Sequence, residues 1–334
     1  MNAMGTEYYG FREHPFQMTP DARFFFASTI HRRAYAHLMF GLAQREGFVV
    51  ITGEVGAGKT TLIERLCGEL STLNFAIARV VTTRITENDL LSLVADAFGA
   101  PAEGNKATLL RGITAALHAG ATGQRRHLLI VDEAQGLPES ALEELRMLSN
   151  ITNGEKALLQ TVLLGQPQLR RTLARPSLDQ LRQRVLASYH LGSLSREETR
   201  DYVLHRMRAV GWDGHPAWQD GTLDLVHRFT DGIPRRVNRL CSRVLLGGAL
   251  EQSAELTVPM VEATAMELED DLGHTADPGA VGTAVALAPA AASSDAIRQL
   301  TERLDALDRR TKNYDALVSR ILHLLADVSG HRAT

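Results

Sequence analysis

Phe48-Val49-Val50-Ile51-Thr52-Gly53-Glu54-Val55-Gly56-Ala57-Gly58-Lys59-Thr60-Thr61-Leu62-Ile63-Glu64-Arg65-Leu66 decides how the chain folds. An apolar run enters a glycine-rich turn and an amphipathic run leaves it, the strand–loop–helix context that a phosphate-binding loop requires. Gly53, Gly56 and Gly58 allow backbone angles and close approaches that a side chain forbids. The freed backbone N–H groups then turn toward an anion, helped by the positive end of a helix starting near Lys59. Lys59 is expected to reach the outer phosphates of a nucleoside triphosphate, and the Thr60 hydroxyl to hold Mg²⁺. The whole run Gly53, Glu54, Val55, Gly56, Ala57, Gly58, Lys59, Thr60 and Thr61 is the expected cradle.

Outward from this loop, apolar strands alternate with helical patterns. Strands are expected at Phe75–Val81, Leu128–Glu133, Ala157–Leu164 and Val185–Leu191. Helices are expected at His31–Leu42, Asn88–Phe98, Lys106–Leu117, Pro138–Ser149, Leu169–Leu173 and Leu178–Val185. That rhythm argues for a largely parallel sheet covered on both faces. From Ser195 the strand signals stop. Ser195 and Glu198 form a capping box, and helices continue through Leu223–Phe229, Pro234–Leu250 and Val258–Leu268. The fold class is therefore α/β with a small all-helical lid. The expected organisation is a strap at 1–35, a nucleotide-binding core at 36–192, a lid at 193–269 and a flexible linker at 270–294. Ile297, Leu300, Leu304, Leu307, Thr311, Tyr314, Val318, Ile321, Leu325 and Val328 recur at heptad spacing, so 295–329 reads as a coiled-coil or partner-docking helix. The aromatics of the strap, from Tyr8 to Phe26, need a surface. The α/β core is the expected one, and walling a nucleotide base is the sharper alternative.

Leu128–Glu133 supplies the second half of the site. Asp132 is expected to hold Mg²⁺ through its water shell, and Glu133 to orient and deprotonate the attacking water. The strand ending at Leu164 delivers Gln166 to the same sheet edge as a sensor of the γ-phosphate or the water. Arg182 and Arg184 precede the last strand, and one of them, Arg184 slightly favoured, is the arginine expected to serve a neighbouring subunit's nucleotide. Gly232-Ile233-Pro234-Arg235 opens a lid helix, from which Arg235 can reach back to the γ-phosphate. Arg236, Arg239 and Arg243 form a stripe that reads as a solvated face, a nucleic-acid contact or a subunit contact.

Composition narrows the classes further. With 44% apolar and 5% aromatic residues the chain builds an aliphatic core, and a net charge of −3 supplies no global field toward nucleic acid or anionic membrane. Cys67 and Cys241, far apart in apolar helical patterns, read as free buried thiols. No basic stretch followed by an apolar one opens the chain, and no run reaches the ~18 apolar residues of a membrane span. The expected location is cytoplasmic.

Tyr9-Gly10-Phe11, Pro15-Phe16, Gly53–Thr61, Asp132-Glu133-Ala134-Gln135, Leu164-Gly165-Gln166-Pro167, Gln180–Arg184 and Gly232–Arg235 together resemble the AAA+ ATPases, in the branch of the general secretion pathway protein A (ExeA/GspA) family. The resemblance covers roughly residues 7–268. It implies a P-loop NTPase (AAA+) core with a helical lid, ATP rather than GTP as nucleotide, Mg²⁺, and ring or filament assembly as a homo-oligomer. It also implies work on a secretion, pilus or exopolysaccharide assembly. The branch is similar to the TniB, TnsC and MuB transposition ATPases too, which makes a duplex-DNA-bound regulator recruiting a transposase-like partner the alternative. Secretion members continue into a membrane span and a periplasmic part, where this chain has the linker and heptad run. A cytoplasmic ATPase, peripheral to the inner membrane through a partner bound to its C-terminal helix, is the expectation.

Overall fold

The computed structural model describes residues 3–19, 22–81 and 86–273. A short helix α1 (Ala3–Tyr8) and an irregular strap lead to α2 (Thr29–Gln44), capped by the Ser28 hydroxyl accepting from His31 N–H. β1 (Phe48–Gly53) and α3 (Lys59–Leu70) flank the glycine loop. Then come β2 (Phe75–Val81), α4 (Glu87–Ala97), α5 (Lys106–Thr122), β3 (Arg126–Asp132) and α6 (Glu139–Leu148). Two-residue strands β4 (Thr152–Asn153) and β5 (Lys156–Ala157) form a small hairpin, so the next sheet strand, β6 (Leu159–Gly165), starts at Leu159 rather than Ala157. α7 (Pro167–Leu173), α8 (Asp179–Arg182) and β7 (Val185–Leu191) complete this part.

All five sheet strands pair parallel in the order β2-β3-β6-β1-β7. β1 and β6 are buried along their whole length and β3 along all but its first residue, which is why they read as near-continuous apolar runs. Leu90, Val94, Leu109, Ile113 and Leu145 cover one face, and Leu38, Leu42, Leu62 and Leu66 the other. This order sets the site. β6 lies between β1 and β3, so the chain leaving each of the three strands emerges at one edge, at Gly53, Asp132 and Gly165. In open parallel sheets that carboxyl edge is where ligands bind.

The lid runs through α9 (Arg196–Ala209), β8 (Ala217–Trp218), α10 (Thr222–Thr230), α11 (Pro234–Leu250), β9 (Glu255–Leu256) and α12 (Val258–Gly273). The Ser195–Glu198 capping box is present. The lid is helical apart from β8 and β9, whose two-residue parallel ladder has no alternating pattern to announce it. The strap differs more from expectation. Tyr9, Phe11, Phe16 and Phe24 join the lid's apolar core with Tyr202, Val203, Met207 and Leu245, rather than lying on the α/β layer. Both sheet faces already carry helices, whereas the lid helices leave an apolar face that only these rings complete.

α12 continues to Gly273, past the expected linker start; most of 270–294 and all of the 295–329 helix reading lie outside the described residues. Among the described residues, no helix is long and apolar enough to cross a membrane. Cys241 is buried and Cys67 half-buried, and both are free thiols.

Candidate active site

The glycine loop is pressed from two sides. Gly56 has φ +84° and Gly58 φ +94°, angles that other residues rarely adopt. A Cβ on Gly56 would sit 2.2 Å from the Arg235 Cβ, and one on Gly58 would sit 2.6 Å from His31 Nε2. The loop therefore needs glycine twice over, for its angles and for the approach of α11 and α2. Lys59, at the first turn of α3, donates from Nζ to the Gly53 carbonyl at 2.7 Å and the Glu54 carbonyl at 3.0 Å. Burial pulls its pKa down, against the opposing pull of Glu133, Asp132 and Glu54.

Asp132 ends β3, 5% exposed, with Arg79 Nη2 at 3.2 Å from Oδ2 and the Glu133 backbone N–H donating to Oδ1 at 2.9 Å. Glu133 adopts φ +55°, the sparsely populated left-handed region, as the chain turns sharply out of the strand. Gln135 Nε2 donates to Glu133 Oε2 at 2.6 Å, and Gln166 Nε2 reaches the same oxygen at 3.4 Å. Gln166 N–H in turn donates to Gln135 Oε1 at 2.9 Å, which ties β3 and β6 together at the sheet edge. Arg79 and Gln135 are site residues that the motif reading did not single out as such. Only the parallel pairing of β2 with β3, Val81 opposite Asp132, brings Arg79 within reach.

The lid closes the other side. Pro234 stands in the first turn of α11, and the Arg235 backbone N–H donates to the Gly56 carbonyl at 3.2 Å. Arg235 lines one cavity of about 300 Å³ with Val55, Lys59, Thr60, Thr61 and Glu133. Its opposite wall is Phe24, Phe25 and Phe26 of the strap with Tyr202, Arg206 and Asn238 of the lid. Arg206, 6% exposed, donates to the Pro15 carbonyl at 2.6 Å, the Gln17 carbonyl at 3.1 Å and the Tyr202 hydroxyl at 3.0 Å, and its guanidinium lies 4.6 Å from the Phe24 ring centre. His31 sits beneath the loop with Ser28 Oγ at 2.7 Å of Nδ1; burial pushes its pKa down to about 4.

Two expected site residues lie elsewhere. α8 stops at Arg182, so Arg182 and Arg184 do not share a helix. Arg182 is exposed and paired with Asp179, while Arg184 is half-buried and donates to Ser149 Oγ at 3.0 Å. Neither lines the cavity formed by this chain.

The donor set suits a magnesium-bound triphosphate. Thr60 and Asp132 offer hard oxygens, and among the described residues no cluster of three or more His, Cys, Asp or Glu forms a dedicated metal cage. That is how Mg²⁺ is usually held: by one or two protein oxygens, water and phosphate.

Fold and site together define a P-loop NTPase of the AAA class, and residues 42–173 match the family model described as an AAA domain. The chain carries that domain and is a relative of general secretion pathway protein A: it is 38% identical over 267 residues to the Aeromonas hydrophila protein of that name. The match covers 79% of this chain and 48% of the relative, so the chain spans about half the relative's length. Among solved structures, the Aeropyrum pernix ORC2 protein in ADPNP–ADP complexes superposes with TM-score 0.55 at 18% identity, over 71% of this chain and 66% of that one. A Walker-type ATPase of Pyrococcus abyssi gives 0.56 at 14% identity, over 78% and 77%. At such identities these two show the fold alone.

Proposed function

We propose that the chain is an Mg²⁺-dependent ATPase that assembles, as ring or filament, in response to nucleotide and uses turnover to remodel or regulate a secretion, pilus or exopolysaccharide assembly. The observation that carries the reading is the convergence of Lys59, Glu133 and Arg235 on one cavity roofed by the lid. The relationship to general secretion pathway protein A supports the choice of partner.

Phosphoryl transfer leaves the protein mostly positioning and charge neutralisation to supply. Lys59 gives up the Gly53 and Glu54 carbonyls and takes phosphate oxygens instead. Thr60 and Asp132 would hold a Mg²⁺ ion there, which would supply neutralising charge to the phosphates. The Glu133 carboxylate takes a proton from water as the water oxygen attacks the γ-phosphorus and ADP leaves. Two amide donors on its Oε2, from Gln135 and Gln166, fix the carboxylate's orientation. Loss of the γ-phosphate is read by Gln166 and Arg235. Because the Arg235 backbone holds Gly56, the signal passes directly to the lid. Arg184 or Arg182 acts on the nucleotide of a second copy. Residues 295–329, with their heptad pattern, dock the partner at the cytoplasmic side of the inner membrane, where ATP is available.

Of the arginine stripe, Arg236 pairs with Asp231 at 2.9 Å on the surface, and Arg239 and Arg243 line a half-open cavity with Arg243 itself exposed, so a DNA contact stays the alternative to be tested. The test is ATP turnover under a Mg²⁺ titration, with and without duplex DNA across a salt series. Mg²⁺-dependent turnover indifferent to DNA is expected, with Lys59→Ala failing to retain ATP. Strong stimulation by DNA that fades with salt would reverse the assignment in favour of a DNA-bound regulator.

A further inference from the structure

A second cavity, of about 440 Å³, lies beside the nucleotide cavity; Gln17, Met18 and Asn238 line both. Its volume falls in the range of small-ligand sites. Phe11 and Phe16 of the strap and Leu245 of α11 give it an apolar floor, and His14, Asn238, Arg239, Ser242 and Arg243 give it a polar wall. Among the described residues, no carboxylate lines it.

The polarity of that wall follows from its hydrogen bonds. The Phe16 backbone N–H donates to His14 Nδ1 at 3.1 Å, so the neutral ring carries its proton on Nε2. Nε2 lies 3.2 Å from Ser242 Oγ, which therefore accepts and keeps its own hydroxyl proton to donate. Burial, with the nearby Arg206 charge, lowers the His14 pKa and keeps the ring neutral. A second chain of bonds orients Asn238. Arg206 can only donate, so the Tyr202 oxygen accepts from it at 3.0 Å and sends its single proton to Asn238 Oδ1 at 2.8 Å. The amide nitrogen must then face away from Tyr202. Asn238 is 7% exposed, and its two N–H groups have no partner among the described residues. Arg239 is half-buried and likewise makes no hydrogen bond or ion pair among the described residues. Arg243 is already partnered.

The uncommitted groups of Asn238, Arg239 and Ser242 all offer hydrogen, one of them with a full positive charge, and apart from Gln17 the facing surface is largely apolar. We propose that this cavity binds a small organic anion, a phosphate or carboxylate head on an apolar body. The head sits on Arg239, Ser242 and Asn238, and the body lies against Phe11, Phe16 and Leu245. Occupancy is coupled to the nucleotide site through α11. The first turn of that helix holds Gly56 through Arg235, and its next two turns carry Arg239 and Ser242. The strap residues Gln17 and Met18 form the partition between the two cavities.

Calorimetric titration of the full chain with hexyl phosphate and with hexanoate tests the site, using hexanol and hexylamine as neutral and cationic controls. At least one anion should bind saturably, at least about tenfold tighter than either control, because a charged donor pair is lost with the uncharged head. Comparing the two anions shows which head the site prefers. Lys59→Ala, which disables the phosphate loop, should leave this binding unchanged, whereas Arg239→Gln and Ser242→Ala should each weaken it. Loading the cavity should shift the affinity of a fluorescent ATP analogue by about threefold or more, a coupling of ordinary allosteric size. No saturable binding of either anion would overturn the proposal. So would binding that disappears in Lys59→Ala and survives Arg239→Gln, since the phosphate loop would then be the site. An ATP affinity indifferent to a loaded cavity would overturn the coupling.

Discussion

The two walls of the nucleotide cavity are built in opposite ways. One wall is drawn from a single loop, Val55, Gly56, Gly58, Lys59, Thr60 and Thr61, with Glu133 from the end of β3, two strands away across β6. Its geometry comes from glycine dihedrals, a helix N-terminus and buried parallel strands, all of which are local or rigid. The facing wall gathers Phe24–Phe26, Tyr202, Arg206 and Asn238 from the strap and from two lid helices. It is held by strap rings sunk in the lid's apolar core and by one buried cation, Arg206, which spends three donors on two strap carbonyls and a tyrosine. Under the proposed function, chemistry rests on the sheet edge, and entry and release of nucleotide fall to the facing layer built from strap and lid.

If the loop wall carries the chemistry alone, Glu133→Gln should cut turnover by about a thousandfold, the scale of losing a positioned general base, while ATP affinity stays put. Single-turnover assays beside equilibrium binding separate the two, and a loss shared equally between them would break the comparison. On the other wall, Arg206→Met leaves three oxygens without a donor and should destabilise the lid and strap by about 3 kcal/mol. Proteolysis near residues 14–19 should accelerate while the sheet resists urea as before. A strap that stays protected would show that its rings suffice without the cation.

His31 sits where the walls meet, and its pKa gives a pH test. The folded value, about 4, lies below the ordinary 6.5 of the unfolded chain, so protonation favours unfolding. The contribution is fully present above pH ~6.5 and is lost as pH falls toward 4. Urea midpoints at several pH values should show the parent losing up to about 3 kcal/mol relative to His31→Asn between pH 7 and 4, because the other histidines titrate in both proteins. Parallel pH profiles would remove His31 from this role. The smallest effect is expected at the arginines outside the cavity. Arg184→Ala should cost the isolated chain under about 1 kcal/mol, one hydrogen bond to Ser149, yet lower turnover once copies assemble. If Arg182→Ala lowers it instead, the exposed arginine is the trans-acting one.

The strand–loop–helix of the loop wall was legible because each of its geometric requirements has a residue type. Gly56 and Gly58 were needed for angle and approach, and Asp132-Glu133 stand at the exit of an apolar strand. Arg79, Gln135 and Arg206 were not legible as site residues for a shared reason: an arginine or glutamine in a strand, turn or helix carries no local mark of what it will touch. The strap showed the same limit. Its ring density announced a packing surface, but whether that surface was sheet or lid depended on which layer still had an uncovered apolar face.

Order along the chain determined the strands, the loop and which residues stand at the loop and the strand exit, because dihedral preference, periodicity and charge are properties of short segments. Tertiary structure decided which strands lie side by side. It thereby decided that Gln166 bonds Glu133, that Arg79 holds Asp132 and that Arg235 rests on Gly56. These pairings join residues from 33 positions apart, for Gln166 and Glu133, to opposite parts of the chain, for Arg235 and Gly56. Only burial of apolar faces, which is summed over the whole molecule, brings such residues together.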